Sequence, residues 1–373
     1  MHFGLIVRVG FYKYRPFHDL ILRPVYDLLR DRCRCALSDD IAALADFRPH
    51  VVVLSESIVG TLRPRFAGDT VFVHTRHGLA SKNVAHGGAA ETDYLCVTSD
   101  AVRDEYAAAG AVPRRGFWVT GYVQMDPLHR AVAAGVRPPL PPRLGAVPSG
   151  HKLVLYAPTL NDGLSSAPML GDRTLELLKA GRSDVTVVVK PHPLTRQFNP
   201  HWLGWWEAAA ARDGRLRVAD DPRDDVMPLL AAADVLVTDA SSVALQFLAT
   251  GRPMVLISNP RRFDCEHYDP QGLEWRWRDM GAEAHGADDV PAAVDECLDD
   301  PGRRAARRKE YAGYLFGTLT DGRAAERIAE NIMGLAGTCP RDDVAFAAAW
   351  PVRIARRAVR VGRRAATLRG WMA

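Results

Sequence analysis

Three short segments carry residues with usable chemistry, and each follows an apolar run. In "VHTRHGLASKN" (73–83), His74, His77 and Lys82 surround Gly78. An imidazole ionises near neutrality, so His77 is a candidate general base. Gly78 would let backbone approach a ligand closely, whereas His74, inside the apolar run, reads as structural. In "VVVKPHPLTR" (187–196), Lys190 and His192 stand just past a second run, held by Pro191 and Pro193. A cation and an imidazole placed there suit an anion, although a solvated turn would carry the same residues. The chain has six lysines against 42 arginines, and two of the six, Lys82 and Lys190, fall beside these histidines. The third segment, "ADVLVTDASSVALQFLATGRPMVLI" (233–257), closes an apolar run on Thr238 and Asp239 and opens a helix on Ser241 and Ser242. The unpaired N–H groups of a helix's first turn, joined by two hydroxyls, suit a phosphate. Simple N-capping by Asp239 or Ser241 would use the same residues. "TGYVQMD" (120–126) adds Gly121 and Asp126 near the junction of the two halves described next.

The elements that must position these residues alternate along the chain. Strand candidates in the first half are 3–9, 51–56, 70–74, 94–99 and 117–121, with helical stretches between them. One of those, 100–109, has Asp100 as its expected N-cap. Residues 135–150, "GVRPPLPPRLGAVPSG", hold five prolines and three glycines and form a linker. The alternation then restarts, with strands expected at 152–158, 185–191, 216–220, 234–239 and 253–258. Helices are expected at 172–181, 200–212, 226–233 and 241–251, and they dominate from about 289 onward. Strands apolar throughout, alternating with helices, indicate parallel sheets covered on both faces. The expected fold is α/β, two doubly wound domains facing across a cleft. Its parts are a first domain at 1–134, a linker at 135–150, a second domain at 151–338 and a tail at 339–373.

Composition narrows the function classes. At 47% hydrophobic and 25% charged, the chain can bury large cores, which excludes disorder, collagen and coiled coil. Its apolar runs fall far short of a membrane span of about 20 residues. The net charge of +4 is uneven, because residues 340–373 hold eight Arg and two Asp and leave the body slightly acidic. That distribution argues against nucleic acid as a partner. In helical projection Arg353, Arg356, Arg357, Arg360, Arg363 and Arg364 form one stripe opposite Val352, Ile354, Val359 and Val361, with Trp350 and Trp371 at the ends. Such a tail suits an anionic membrane surface, or packs on the body with a solvated basic face. The six cysteines make no zinc pattern. There is no GxGxxG, P-loop, HExxH or GxSxG motif, and no aspartate-rich DxD element; neither metal nor cofactor is expected.

Taken together, the segments resemble the CDP-glycerol glycerophosphotransferase family of teichoic acid and capsular phosphopolymer synthesis. "HGLASK" is similar to its HGTxxK element, "TGYVQMD" to GYPRxD, "LYAPTL" (155–160) to YAPTW, "VKPHP" to Arg-x-His-Pro, "VTDASS" to TDYSS and "DGRAAER" (321–327) to DGxAxER. Six elements agree in order from about 70 to 335. The resemblance implies a GT-B architecture with 1–134 on the acceptor side and 151–338 on the donor side, a CDP-activated donor and a lipid-linked saccharide acceptor. It also implies a cytoplasmic protein peripheral on the inner face of the membrane. His77 would be the base on the acceptor hydroxyl, and His192 would contact the donor diphosphate. Ser241 and Ser242 would bind phosphate, with Asp239 beside them. Gly78, Lys82, Gly121, Asp126, Thr159, Lys190 and Thr238 would complete the substrate site. Leu79 and Ala80 replace the family's Thr-Pro, and Ala240 replaces its Tyr. A nucleotide-sugar glycosyltransferase of the same GT-B fold is the alternative.

Overall fold

Runs without a polar face must be covered on both sides, and in the computed structural model each becomes a strand of an all-parallel sheet flanked by helices. The structure describes residues 7–79, 88–221 and 225–335. The first sheet has the order β2-β1-β3-β4-β5-β6. Its strands are β1 (Arg8–Tyr12), β2 (Arg34–Ser38), β3 (Val51–Leu54), β4 (Val71–His74), β5 (Tyr94–Val97) and β6 (Gly116–Val119). The second has the order β12-β11-β10-β7-β8-β9. It comprises β7 (Lys152–Ala157), β8 (Val185–Val189), β9 (Leu216–Val218), β10 (Val235–Thr238), β11 (Met254–Ile257) and β12 (Ala282–Ala284). Strands β3, β8, β10 and β11 are buried at every position. Each Val, Leu or Ile so buried contributes about 1.5–3 kcal/mol.

The strand order reverses between β1 and β3 in one sheet and between β7 and β10 in the other. In open parallel sheets the crevice beyond the carboxyl ends of such strands is where ligands bind. The doubly wound α/β fold is as expected, with three local differences. The first described strand runs Arg8–Tyr12, where 3–9 was expected, and residues 3–6 of that stretch lie outside the described residues. Strands β2 and β12 were not anticipated: one is half-buried along its length and the other has three residues, so neither is a continuous apolar run. The helix Asp100–Ala108 is capped by Ser99, whose hydroxyl accepts from the Val102 amide at 3.1 Å, not by Asp100. Asp100 sits in the first helical turn instead, where a carboxylate favours the positive end of the helix dipole.

The last two described helices cross back to the first half. The Ser99 hydroxyl donates to the Tyr314 carbonyl at 2.6 Å, and the Tyr314 hydroxyl donates to Glu105 at 2.8 Å. Helix Ala324–Gly334 packs on Asp19–Leu29. One apolar core therefore runs through Leu22, Val25 and Leu128 of the first half, Leu245 and Phe247 of the second, and Ile328 and Ile332 of the crossing helix. Residues 305–334, which the sequence groups with the second domain, thus brace the first.

Candidate active site

In the second sheet's half the site is built around a fully buried carboxylate. Asp239 directly follows β10, and its Oδ1 accepts from the Thr159 amide at 2.9 Å. Its Oδ2 accepts from the Ser166 amide and hydroxyl, both at 2.8 Å. Burial raises its pKa, and the three hydrogen bonds oppose that rise. The acid is thus a clamp that joins the β7 loop to the β10 turn. Thr238 is likewise committed, its hydroxyl donating to the Ala157 carbonyl at 2.6 Å. Arg278, almost fully buried, donates to the Asp239 carbonyl at 3.0 Å and to the Ser258 hydroxyl at 2.9 Å. A fixed cation therefore backs the turn from which the helix Ser242–Phe247 starts. Ser241 caps that helix, its hydroxyl accepting from the Val243 amide at 3.3 Å.

Beyond β8, the Lys190 ammonium donates to the Pro191 carbonyl at 3.1 Å. Burial lowers its pKa to about 8, against the pull of Asp220 and Asp225. His192 Nδ1 accepts from the Leu194 amide at 3.2 Å, which leaves the ring proton on Nε2.

In the first sheet's half the groups are imidazoles. His77 follows β4 at the edge of the first sheet's crevice, with Nδ1 2.8 Å from the Ser55 carbonyl. A carbonyl only accepts, so Nδ1 carries hydrogen and Nε2 keeps its lone pair. Glu56 lies 3.8 Å from the same Nδ1, and His18 stacks on the ring at 5.5 Å between centroids. His18 and His74 are buried, and desolvation pushes the pKa of each down to about 3. Among the described residues, His18, Glu56 and His77 are the one group of three whose ligand atoms, all within 4.8 Å, could hold a metal ion.

The His77 loop also comes close to the second sheet's half. A Cβ placed on Gly78 would lie 3.7 Å from Ser242 Oγ, so the His77 loop abuts the serine-headed helix of the other sheet.

A family described as CDP-glycerol:poly(glycerophosphate) glycerophosphotransferase matches residues 51–334, some three quarters of the chain. The protein belongs to that family. It is a transferase of the CDP-glycerol glycerophosphotransferase type. No curated protein matches it in a sequence search. Among solved structures it is similar to the wall teichoic acid polymerase TagF, with a TM-score of 0.63 at 14% identity over 89% of each chain. A TagF variant soaked with CDPG gives 0.63 at 13%, again over 89% of each chain. A putative UDP-N-acetylglucosamine 2-epimerase from Listeria monocytogenes gives 0.60 at 14%, over 90% of this chain and 98% of that one. At such identities the likeness speaks to the fold, and it shows the GT-B arrangement.

Within this glycerophosphotransferase-family chain, the structure brings Gly78 together with Ser242, and Thr159 together with Asp239. It sets Gly121 and Asp126 against the crossing helix. Gly121 has φ +85°, and a Cβ there would stand 3.3 Å from that of Ala324. The two Asp126 oxygens accept from the Ala324 and Ala325 amides at 2.9 Å. That element docks a helix. Lys82 and the six tail arginines lie outside the described residues. Among the described residues no helix is long and apolar enough to cross a membrane. Glu56, His18 and Arg278 were not anticipated. Glu56 alone gave a signal, as the first charge after the apolar run of β3.

Proposed function

We propose that the protein transfers glycerol phosphate from CDP-glycerol to a hydroxyl of a lipid-linked acceptor in the synthesis of a teichoic-acid-type polymer. The acceptor oxygen attacks the glycerol-bearing phosphorus and its proton passes to His77 Nε2. The bond from that phosphorus to the bridging oxygen breaks, and CMP leaves. Phosphoryl transfer demands positioning and charge neutralisation more than covalent help. The Nε2–H of His192, Lys190, Ser241 and Ser242 would supply that neutralisation around the diphosphate, with Arg278 behind the turn. Asp239 and Thr238 would hold the frame, and Gly121 and Asp126 the hinge.

The observation that supports this reading best is the approach of Gly78 to Ser242, which sets a histidine loop of one sheet against the phosphate-type turn of the other. The opposite tautomers fit it as well, since a base needs a lone pair and a phosphate contact needs a proton. The test is product analysis. CDP-glycerol is supplied with a lipid-linked saccharide and, separately, with short poly(glycerol phosphate). CMP release coupled to elongation of either acceptor is expected, and turnover of UDP- or GDP-sugars instead would overturn the reading. The arginines of 353–364 would hold the chain on anionic lipid. Sedimentation with anionic vesicles should weaken with salt and disappear on truncation after Asp343.

A further inference from the structure

We infer that Glu56 positions His77 for proton abstraction and supplies the counter-charge when its ring becomes cationic, with His18 as the stacking face. The inference rests on His77 being the base. Glu56 stands two residues past β3, at the point where the order of the first sheet reverses. Its carboxylate lies between two imidazoles, one oxygen 3.8 Å from His77 Nδ1 and the other 3.7 Å from His18 Nε2. The backbone holds it there, because the Ser57 amide donates to Oε1 at 3.4 Å.

The groups facing His77 from each packed element make the case. The loop after β3 brings the Ser55 carbonyl and Glu56. The turn Pro16–His18 brings His18, with both ring nitrogens buried and without a hydrogen-bond partner. Strand β4 brings His74, on which the charges of His77 and Arg76 both bear, while the Arg76 guanidinium packs over the Tyr106 ring. Among the described residues in ion-pair range of His77, Glu56 is the one carboxylate. When the acceptor proton arrives at Nε2, the ring is cationic beside two histidines that resist protonation. Its Nδ1–H stays on the Ser55 carbonyl, and the Glu56 carboxylate, 3.8 Å from the same nitrogen, faces the new charge. The proton leaves to solvent once CMP has departed.

Histidine-selective 15N spectra of the wild-type protein read the tautomer directly. Nδ1-protonated His77 is expected, and an Nε2-protonated ring overturns the inference. In the full chain, Glu56→Gln should lower kcat roughly 10- to 100-fold, part of the 10²–10⁴ that general-base catalysis contributes. CDP-glycerol affinity by calorimetry should stay unchanged, which also reports folding. Without the anion the protonated ring is less favoured, so the acidic limb of the rate profile should move to lower pH. Glu56→Asp should restore part of the rate. An unmoved profile in Glu56→Gln, alongside an inactive His77→Ala, overturns the role of Glu56 alone. A His77→Ala that keeps its rate overturns the base assignment, and this inference with it. Stoichiometric zinc in the purified protein, lost in Glu56→Gln, would make the cluster a metal centre and overturn it too.

Discussion

The two crevices are built from opposite materials. The first sheet ends in three histidines and one carboxylate, His18, His74, His77 and Glu56, with His77 left a lone pair. The second ends in hydroxyls, a buried guanidinium and a lysine, with His192 left a proton. In the proposed reaction one half would take a proton and the other would offer them. Each sheet would then supply half of the chemistry, with the crossing helices joining the two halves.

The contrast breaks most easily at the rings. His77→Ala should lower transfer by 10²–10⁴-fold, in kcat and not in donor binding. His192→Ala should cost about 10²-fold and weaken CDP-glycerol binding as well, since it removes a donor to charged oxygens. Calorimetry beside initial rates separates the two patterns. Equal effects on kcat and donor affinity from both substitutions would erase the proposed division of labour.

Acid should separate the halves next. His18 and His74 carry pKa values lowered to about 3, so the folded state refuses protons that the unfolded chain accepts near 6.5. Stability is then fully present above pH 6.5 and falls as pH drops from 6.5 toward 3, by up to about 1.4 kcal/mol per unit for each ring. Asp239 works the other way, because burial raises its pKa and the folded state takes its proton more readily. Urea midpoints measured between pH 7 and 4 should fall steeply in the wild type and less steeply in His74→Asn. Equal slopes would mean that His74 is not the group that resists protonation.

The Asp239 clamp gives an effect of about 2–3 kcal/mol. Asp239→Ala would leave the buried Ser166 amide and hydroxyl and the Thr159 amide without their acceptor. The thermal midpoint should drop, and activity should fall with it. A variant as stable as the wild type but inactive would move Asp239 from the frame to the reaction.

Much of this was legible because the chemistry sits at the ends of the most apolar strands. Runs such as "VVVL" and "VTVVV" identify themselves, and whatever polar residue follows them is at a crevice. His77, His192 and the serine-headed helix were singled out in that way. Glu56 passed unnoticed because a single acid after a strand resembles any strand end, and only the fold brings His18 to it from 38 residues earlier. Asp126 misled for the same reason in reverse: its motif suggested substrate, while its carboxylate caps a helix some 200 residues away. Arg278 lay in a segment of Trp and Arg without periodicity.

The smallest change tests the meeting point itself. At Gly78 the methyl of an alanine would stand 3.7 Å from Ser242 Oγ, an ordinary van der Waals contact that nothing has to yield to accommodate. Gly78→Ala should therefore leave the thermal midpoint within about 0.5 kcal/mol of wild type, as surface substitutions do. If the donor's phosphate lies between that loop and the helix, the methyl takes up part of the space it needs. KM for CDP-glycerol should then rise several-fold with kcat almost unchanged, and Ser242→Ala on the facing side should relieve part of the crowding. Gly78→Ala with unaltered KM would place the phosphate elsewhere and reduce the contact between the halves to packing.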